Sequence, residues 1–295
     1  VSRDAFEKAR AEVGVIDTMI GFPAPREEQA KHYDFIRKQT HDADSQEWEF
    51  PAQYMFKGVP HYDRVDDPVE MLVAKMNELG IRKAITGLPT DGNSKVALER
   101  YPDRFFSACN PDPNTGMDAV RLVDNAVKQY DAKAAHVWGT GLIPQVPLND
   151  KKMYPIYAKC VELDIPIFVY AGVPGPRIRF EPQDVALLDE VCWFFPELKI
   201  ITRHGGQPWT DLMVKLLLKW PNLYYSTSAF APKHYDKAII EFANTRGAEK
   251  VIYAGYYPMG LDIDRIFKEL PDVPFRDHVW SKFLYENAAR VLKLS

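Results

Sequence analysis

Asp67-Pro68-Val69-Glu70-Met71-Leu72-Val73-Ala74-Lys75-Met76-Asn77-Glu78-Leu79-Gly80-Ile81-Arg82-Lys83-Ala84-Ile85-Thr86-Gly87-Leu88 holds one helix–strand unit of the chain. Asp67 can cap a helix with its carboxylate, and Pro68 suits the first turn, where no intrahelical N–H is needed. Val69, Leu72, Met76 and Leu79 then fall on one apolar face at helical spacing, and Gly80 ends the helix. Ala84 to Leu88 reads as a strand. The same alternation continues. Strands are expected at Phe105–Cys109, Ala134–Trp138, Ile165–Tyr170, Leu198–Thr202, Leu223–Thr227 and Val251–Ala254. Helices are expected near Met117–Tyr130, Met153–Leu163, Gln183–Phe195, Trp209–Trp220, His234–Asn244 and His278–Leu294. Val15–Thr18 supplies the remaining strand. Strands buried on both faces of a parallel sheet read as continuous apolar runs, as these do. Eight strand–helix units in 295 residues predict an α/β chain folded as one (β/α)8 TIM barrel over residues 1–295. No glycine-rich phosphate loop follows the first strand, which argues against an open dinucleotide-binding sheet.

Residues 22–66 separate the first strand from its helix. They are rich in aromatics, among them Tyr33, Phe35, Trp48, Tyr54, Phe56 and Tyr62. Loops of this length act as lids, binding loops or interface arms. The segment is read as an inserted loop or arm that covers substrate, packs on the barrel or packs on a second copy, the last of which suits a homodimer. Net charge is −4 with both signs dispersed, so no basic stripe points to nucleic acid. No apolar run reaches the ~18 residues of a membrane span. Cys109, Cys160 and Cys192 fit no zinc or redox spacing and read as reduced thiols of a cytoplasmic protein.

Four strand ends carry the residues of interest: Ile16-Asp17-Thr18-Met19-Ile20-Gly21, Pro166-Ile167-Phe168-Val169-Tyr170-Ala171-Gly172, Thr202-Arg203-His204-Gly205-Gly206 and Tyr253-Ala254-Gly255-Tyr256-Tyr257-Pro258-Met259. With the ending Asn287-Ala288-Ala289-Arg290-Val291-Leu292, these segments in this order resemble the amidohydrolase 2 family. That family includes aminocarboxymuconate semialdehyde decarboxylase and related carboxy-lyases and hydrolases. The resemblance implies that two histidines after the first strand, one after the fifth and an aspartate after the eighth would hold a divalent ion. Here those positions are Met19, Gly21, Tyr170 and Tyr256. A thioether, a missing side chain and two neutral phenols are a poor replacement. No metal and no cofactor are therefore expected.

The resemblance marks His204 as the retained acid/base, since an imidazole titrates near neutrality. Tyr170 and Tyr256 are expected at the barrel mouth as donors to a developing oxyanion, or as rings filling the vacated volume. Asp17 either supports its strand end or takes part in proton transfer. His136 and Trp138 share one face of the fourth strand and could line the pocket, with Met19 beside them. Arg177, in the loop after the fifth strand, could anchor a substrate carboxylate, while Arg179 suits a surface ion pair. Arg203 is expected to face the helices. His32, His41, His61, His234 and His278 read as loop or surface residues. The resulting expectation is a metal-independent lyase or hydrolase acting on a small carbonyl or aromatic acid by His/Tyr chemistry. The alternatives are a catalytically silent barrel that binds a ligand or supports a partner, and a hydrolase with a displaced metal site at His136, His204 and Asp17.

Overall fold

Eight short parallel strands form the frame of the computed structural model, which describes residues 3–90 and 92–295. They are β1 (Val15–Asp17), β2 (Ile81–Thr86), β3 (Phe105–Cys109), β4 (Ala134–Val137), β5 (Ile167–Tyr170), β6 (Ile200–Arg203), β7 (Leu223–Ser226) and β8 (Val251–Ile252). Each strand pairs with the next in sequence order, and helices lie between them, giving the α/β TIM-barrel arrangement. β5 is buried at every position, which is why it reads as an unbroken apolar run.

The helix Pro68–Leu79 forms as its sequence dictates. Asp67 accepts a hydrogen bond from the Glu70 N–H at 3.0 Å, and Gly80 ends the helix at a φ of 74°. Sequence periodicity missed the helices Arg3–Glu12, Gly92–Arg100 and Ile263–Glu269. The first buries only Phe6 and Ala9 and the second only Ala97, too little apolar surface to print a pattern. The closing helix is interrupted. Asp277–Ser281 and Asn287–Leu292 flank a π-helical turn at Lys282–Glu286, which packs against both β1 and β8.

Side chains bridge the seam between β8 and β1. Asp17 Oδ1 accepts from the backbone N–H of Met19 at 3.0 Å and of Gly255 at 2.9 Å. Thr18 Oγ1 donates to the Tyr253 carbonyl at 2.9 Å. A Cβ on residue 255 would stand 2.6 Å from Asp17 Oδ2, so the close approach requires glycine. Residues 22–66 carry three short helices, Arg26–His32, Asp34–Arg37 and Ala43–Glu47, and lie over the C-terminal ends of the strands. The arm is tied down on several sides. Gln39 donates to the Gly141 carbonyl, Tyr54 to the Gly175 carbonyl, and the Tyr62 and Tyr257 hydroxyls share a hydrogen bond, each at 2.8 Å.

Candidate functional site

β4 and β5 set the first pair of polar groups. His136 Nε2 and the Tyr170 hydroxyl stand 3.0 Å apart, with the donor decided by the imidazole tautomer. Trp138 follows on the same face as His136, and its ring centroid lies 5.3 Å from that of Tyr170. Gln183 holds Trp138 in place. Its Oε1 accepts from Trp138 Nε1 at 3.2 Å and from Thr140 Oγ1 at 2.6 Å, while its Nε2 donates to the Gly172 carbonyl at 2.7 Å. Met19, Tyr170 and Ala254 pack together, with Trp138 and Tyr256 against them.

β6 corrects one sequence expectation. Arg203 does not face the helices. It is buried and reaches into the barrel, where Nη2 donates to the Thr18 carbonyl at 2.8 Å and the guanidinium lies 4.4 Å above the Phe168 ring. His204 lines the same cavity although it is the next residue. The alternation of strand side chains stops here because His204 has a φ of 64°. The rings of Tyr170 and Tyr256 both meet His204 edge to face, at 4.6 Å and 5.0 Å. Tyr256 itself has a φ of 131°, a strained conformation for an aromatic residue. Ser228, just after β7, lies against His204: its Oγ accepts from the His204 backbone N–H at 3.0 Å and stands 3.0 Å from Nδ1.

Together these groups floor a cavity of about 1170 Å³. The arm supplies Phe35, edge to face with Trp138 at 5.8 Å, and Phe56, 5.6 Å from Tyr256. His32 and His234, expected on loops or the surface, also line the cavity. Arg177 does not. It pairs with Asp42 and Asp44 of the arm, and its guanidinium lies 4.8 Å over Trp48. Sequence separation hid these partners, and the structure spends Arg177 on holding the arm. Arg179 pairs with Glu181, as its surface reading anticipates. Lys57, Lys233 and Arg265 join Arg203 along the lining, and no carboxylate lines the cavity among the described residues.

Burial governs protonation here. It pushes the His204 imidazole down to about 3, with the Arg203 charge adding to the effect. His136 is held well below the ordinary histidine value by burial, by Arg203 and by His204. Burial raises both phenols, and Arg203 opposes that rise at Tyr170. Asp17, fully buried, is pushed up to about 7 by desolvation despite the two amide bonds to Oδ1, and its Oδ2 has no hydrogen-bond partner among the described residues. At neutral pH the centre therefore offers neutral imidazoles, neutral phenols and one fixed cation.

Residues 16–294 match the Amidohydrolase family, and the chain belongs to it. Solved structures carry the same fold. A TIM-barrel protein of Bordetella bronchiseptica has a TM-score of 0.70 at 19% identity, over 95% of this chain and 98% of that one. The 5-carboxyvanillate decarboxylase of Novosphingobium aromaticivorans, solved as a mutant with manganese and a methoxy-hydroxy-nitrobenzoic acid, has a TM-score of 0.62 at 18% identity, over 95% and 97%. The 4-oxalomesaconate hydratase of Rhodopseudomonas palustris has a TM-score of 0.57 at 18% identity, over 95% of each chain. No curated protein matches the chain.

The manganese of the decarboxylase has no fitting counterpart here. Among the described residues no three His, Cys, Asp or Glu side chains converge to hold an ion. Met19, Gly21, Tyr170 and Tyr256 do not suit a divalent metal. That holds also for His136, His204 and Asp17 of the displaced-site alternative, which do not converge as a ligand set.

Proposed function

We propose that this chain is an enzyme that acts on a small aromatic carboxylic acid by His/Tyr acid–base chemistry, without a metal ion. The observation that carries the proposal is the buried Arg203 at the floor of an aromatic cavity that no carboxylate lines among the described residues. Such a site attracts an anion to the Arg203 guanidinium that lines it. The substrate's acidic group pairs with Arg203. Trp138, Phe35 and Phe56 bound the space for a flat ring, and the arm limits access of water. His136 and Tyr170 form a path along which one proton can pass between imidazole and phenol. In a carboxy-lyase reaction, the ring carbon bearing the carboxylate accepts a proton. The C–C electron pair then stays on the ring as carbon dioxide leaves.

The test has two parts. Calorimetric titration with benzoate and hydroxybenzoates should show binding that Arg203→Leu weakens. A turnover screen of the same acids should give product in metal-free buffer. Metal content by elemental mass spectrometry accompanies both. Turnover that chelation removes and added manganese or zinc restores would sink the metal-free reading. Binding without turnover of any acid would favour a silent ligand-binding barrel.

A further inference from the structure

Ser228 places one hydroxyl between two atoms of the same residue. Its Oγ lies 3.0 Å from the His204 backbone N and 3.0 Å from His204 Nδ1, and the side chain is fully buried. The backbone N–H can only donate, so it occupies one lone pair of the hydroxyl oxygen. The second contact can run in either direction. If Nδ1–H donated, the serine oxygen would accept twice, and its own hydrogen would find no acceptor among the described residues. A buried donor left without an acceptor is costly and rare in folded proteins. If the hydroxyl donates to Nδ1, both partners are satisfied. The ring hydrogen then resides on Nε2, the nitrogen left to the cavity.

We propose that Ser228 is a positioning residue that fixes His204 as the neutral Nε2–H tautomer, and that His204 donates this N–H to an anionic oxygen of the substrate instead of carrying a proton. The donor role rests on the acid-binding reading above, whereas the tautomer does not. Three features support it. The left-handed backbone at His204 turns the ring into the cavity beside Arg203. Two tyrosine rings lying nearly perpendicular to the imidazole restrict its rotation. Burial and the Arg203 charge disfavour the imidazolium. A neutral imidazole N–H is a weak acid and a good hydrogen-bond donor, so proton transfer falls to His136 and Tyr170.

Nitrogen-15 NMR of histidine-labelled protein at neutral pH reads the tautomer through two-bond proton–nitrogen couplings. The expected result is the Nε2–H pattern for His204 in the wild type, with an increased Nδ1–H share in Ser228→Ala. An Nδ1–H or imidazolium pattern in the wild type overturns the proposal. Benzoate affinity then reads the donor role. His204→Gln keeps a neutral N–H donor of similar reach and should bind benzoate within about threefold of wild type, while His204→Leu loses about tenfold. Equal losses in the two variants overturn the donor role. Absence of benzoate binding to the wild type overturns the acid-binding reading and the donor role with it, while the nitrogen spectrum still decides the tautomer.

Discussion

Lys250 and Arg203 are cations drawn into opposite ends of the barrel, and they are treated differently. Lys250 precedes β8 at the N-terminal end. Its ammonium donates to the carbonyls of Leu217, Trp220 and Leu223 at 3.1, 2.5 and 3.0 Å, matching its three N–H groups. Arg203 ends β6 at the C-terminal end. It donates to the Thr18 carbonyl and keeps a buried Nε without a hydrogen-bond partner among the described residues. The backbone follows the same division. Away from the site, left-handed residues such as Asp131 close helices in the usual manner. At the mouth, His204, Ala229 and Tyr256 have positive φ on successive strand ends. One end satisfies its charge with its own carbonyls, whereas the other holds donors and strain available for a ligand.

This contrast can be broken by substitution. The largest effect should come from Tyr170→Phe, which removes one half of the proton path. Turnover of the acid substrate should fall by roughly 10²–10⁴ while the melting temperature barely moves. Retained turnover in stopped assays would show that the open end does not carry the proton there. Arg203→Leu should weaken benzoate binding by about 10–100-fold, corresponding to ~1.5–3 kcal/mol for a charged hydrogen bond. It should cost little stability, because an incompletely paired buried cation is replaced by an apolar side chain. Lys250→Met should reverse that pattern. It strips a donor from three carbonyls and should cost about 1–3 kcal/mol in urea unfolding, with benzoate affinity unchanged. If the two substitutions exchange effects, the comparison fails.

A pH-dependent effect concerns Asp17. Its carboxyl lies at about 7 in the fold against 3.8 for an ordinary aspartate. The folded chain thus binds this proton more tightly. The stability it contributes is present below the lower value and is lost as pH rises through the upper one. Asp17→Asn should therefore gain stability relative to wild type as pH climbs from about 4 to about 7, and the difference should level off above that. The opposing contribution of His204 is common to both proteins and drops out. A pH-independent difference in denaturant midpoints would count against a raised Asp17.

The strands were legible because burial on both faces leaves apolar runs with no alternation to misread. Arg3–Glu12 and Gly92–Arg100 bury too little to mark themselves, whereas Ile263–Glu269 buries Ile263, Ile266 and Phe267 but is too short to print a helical period. At the site, His136, Trp138, Tyr170, His204 and Tyr256 line one cavity because strand ends converge in any barrel of this kind. Arg203 was misplaced for a physical reason: alternation predicts its direction only while the backbone stays extended, and His204 is left-handed. An arginine closing an apolar run, Ile200-Ile201-Thr202-Arg203, is the sequence signal that could have flagged it. Arg177 and Gln183 were illegible, since their partners lie in other loops.

The β8–β1 seam has a kinetic consequence. The amides of Met19 and Gly255 hang on the same carboxylate oxygen. Displacement of that carboxylate releases both amides to solvent deuterium at once, so the two should exchange at linked rates although 236 positions separate them in the chain. The hoop of strands thus has a clasp, and its opening can be timed by watching two amides move as one.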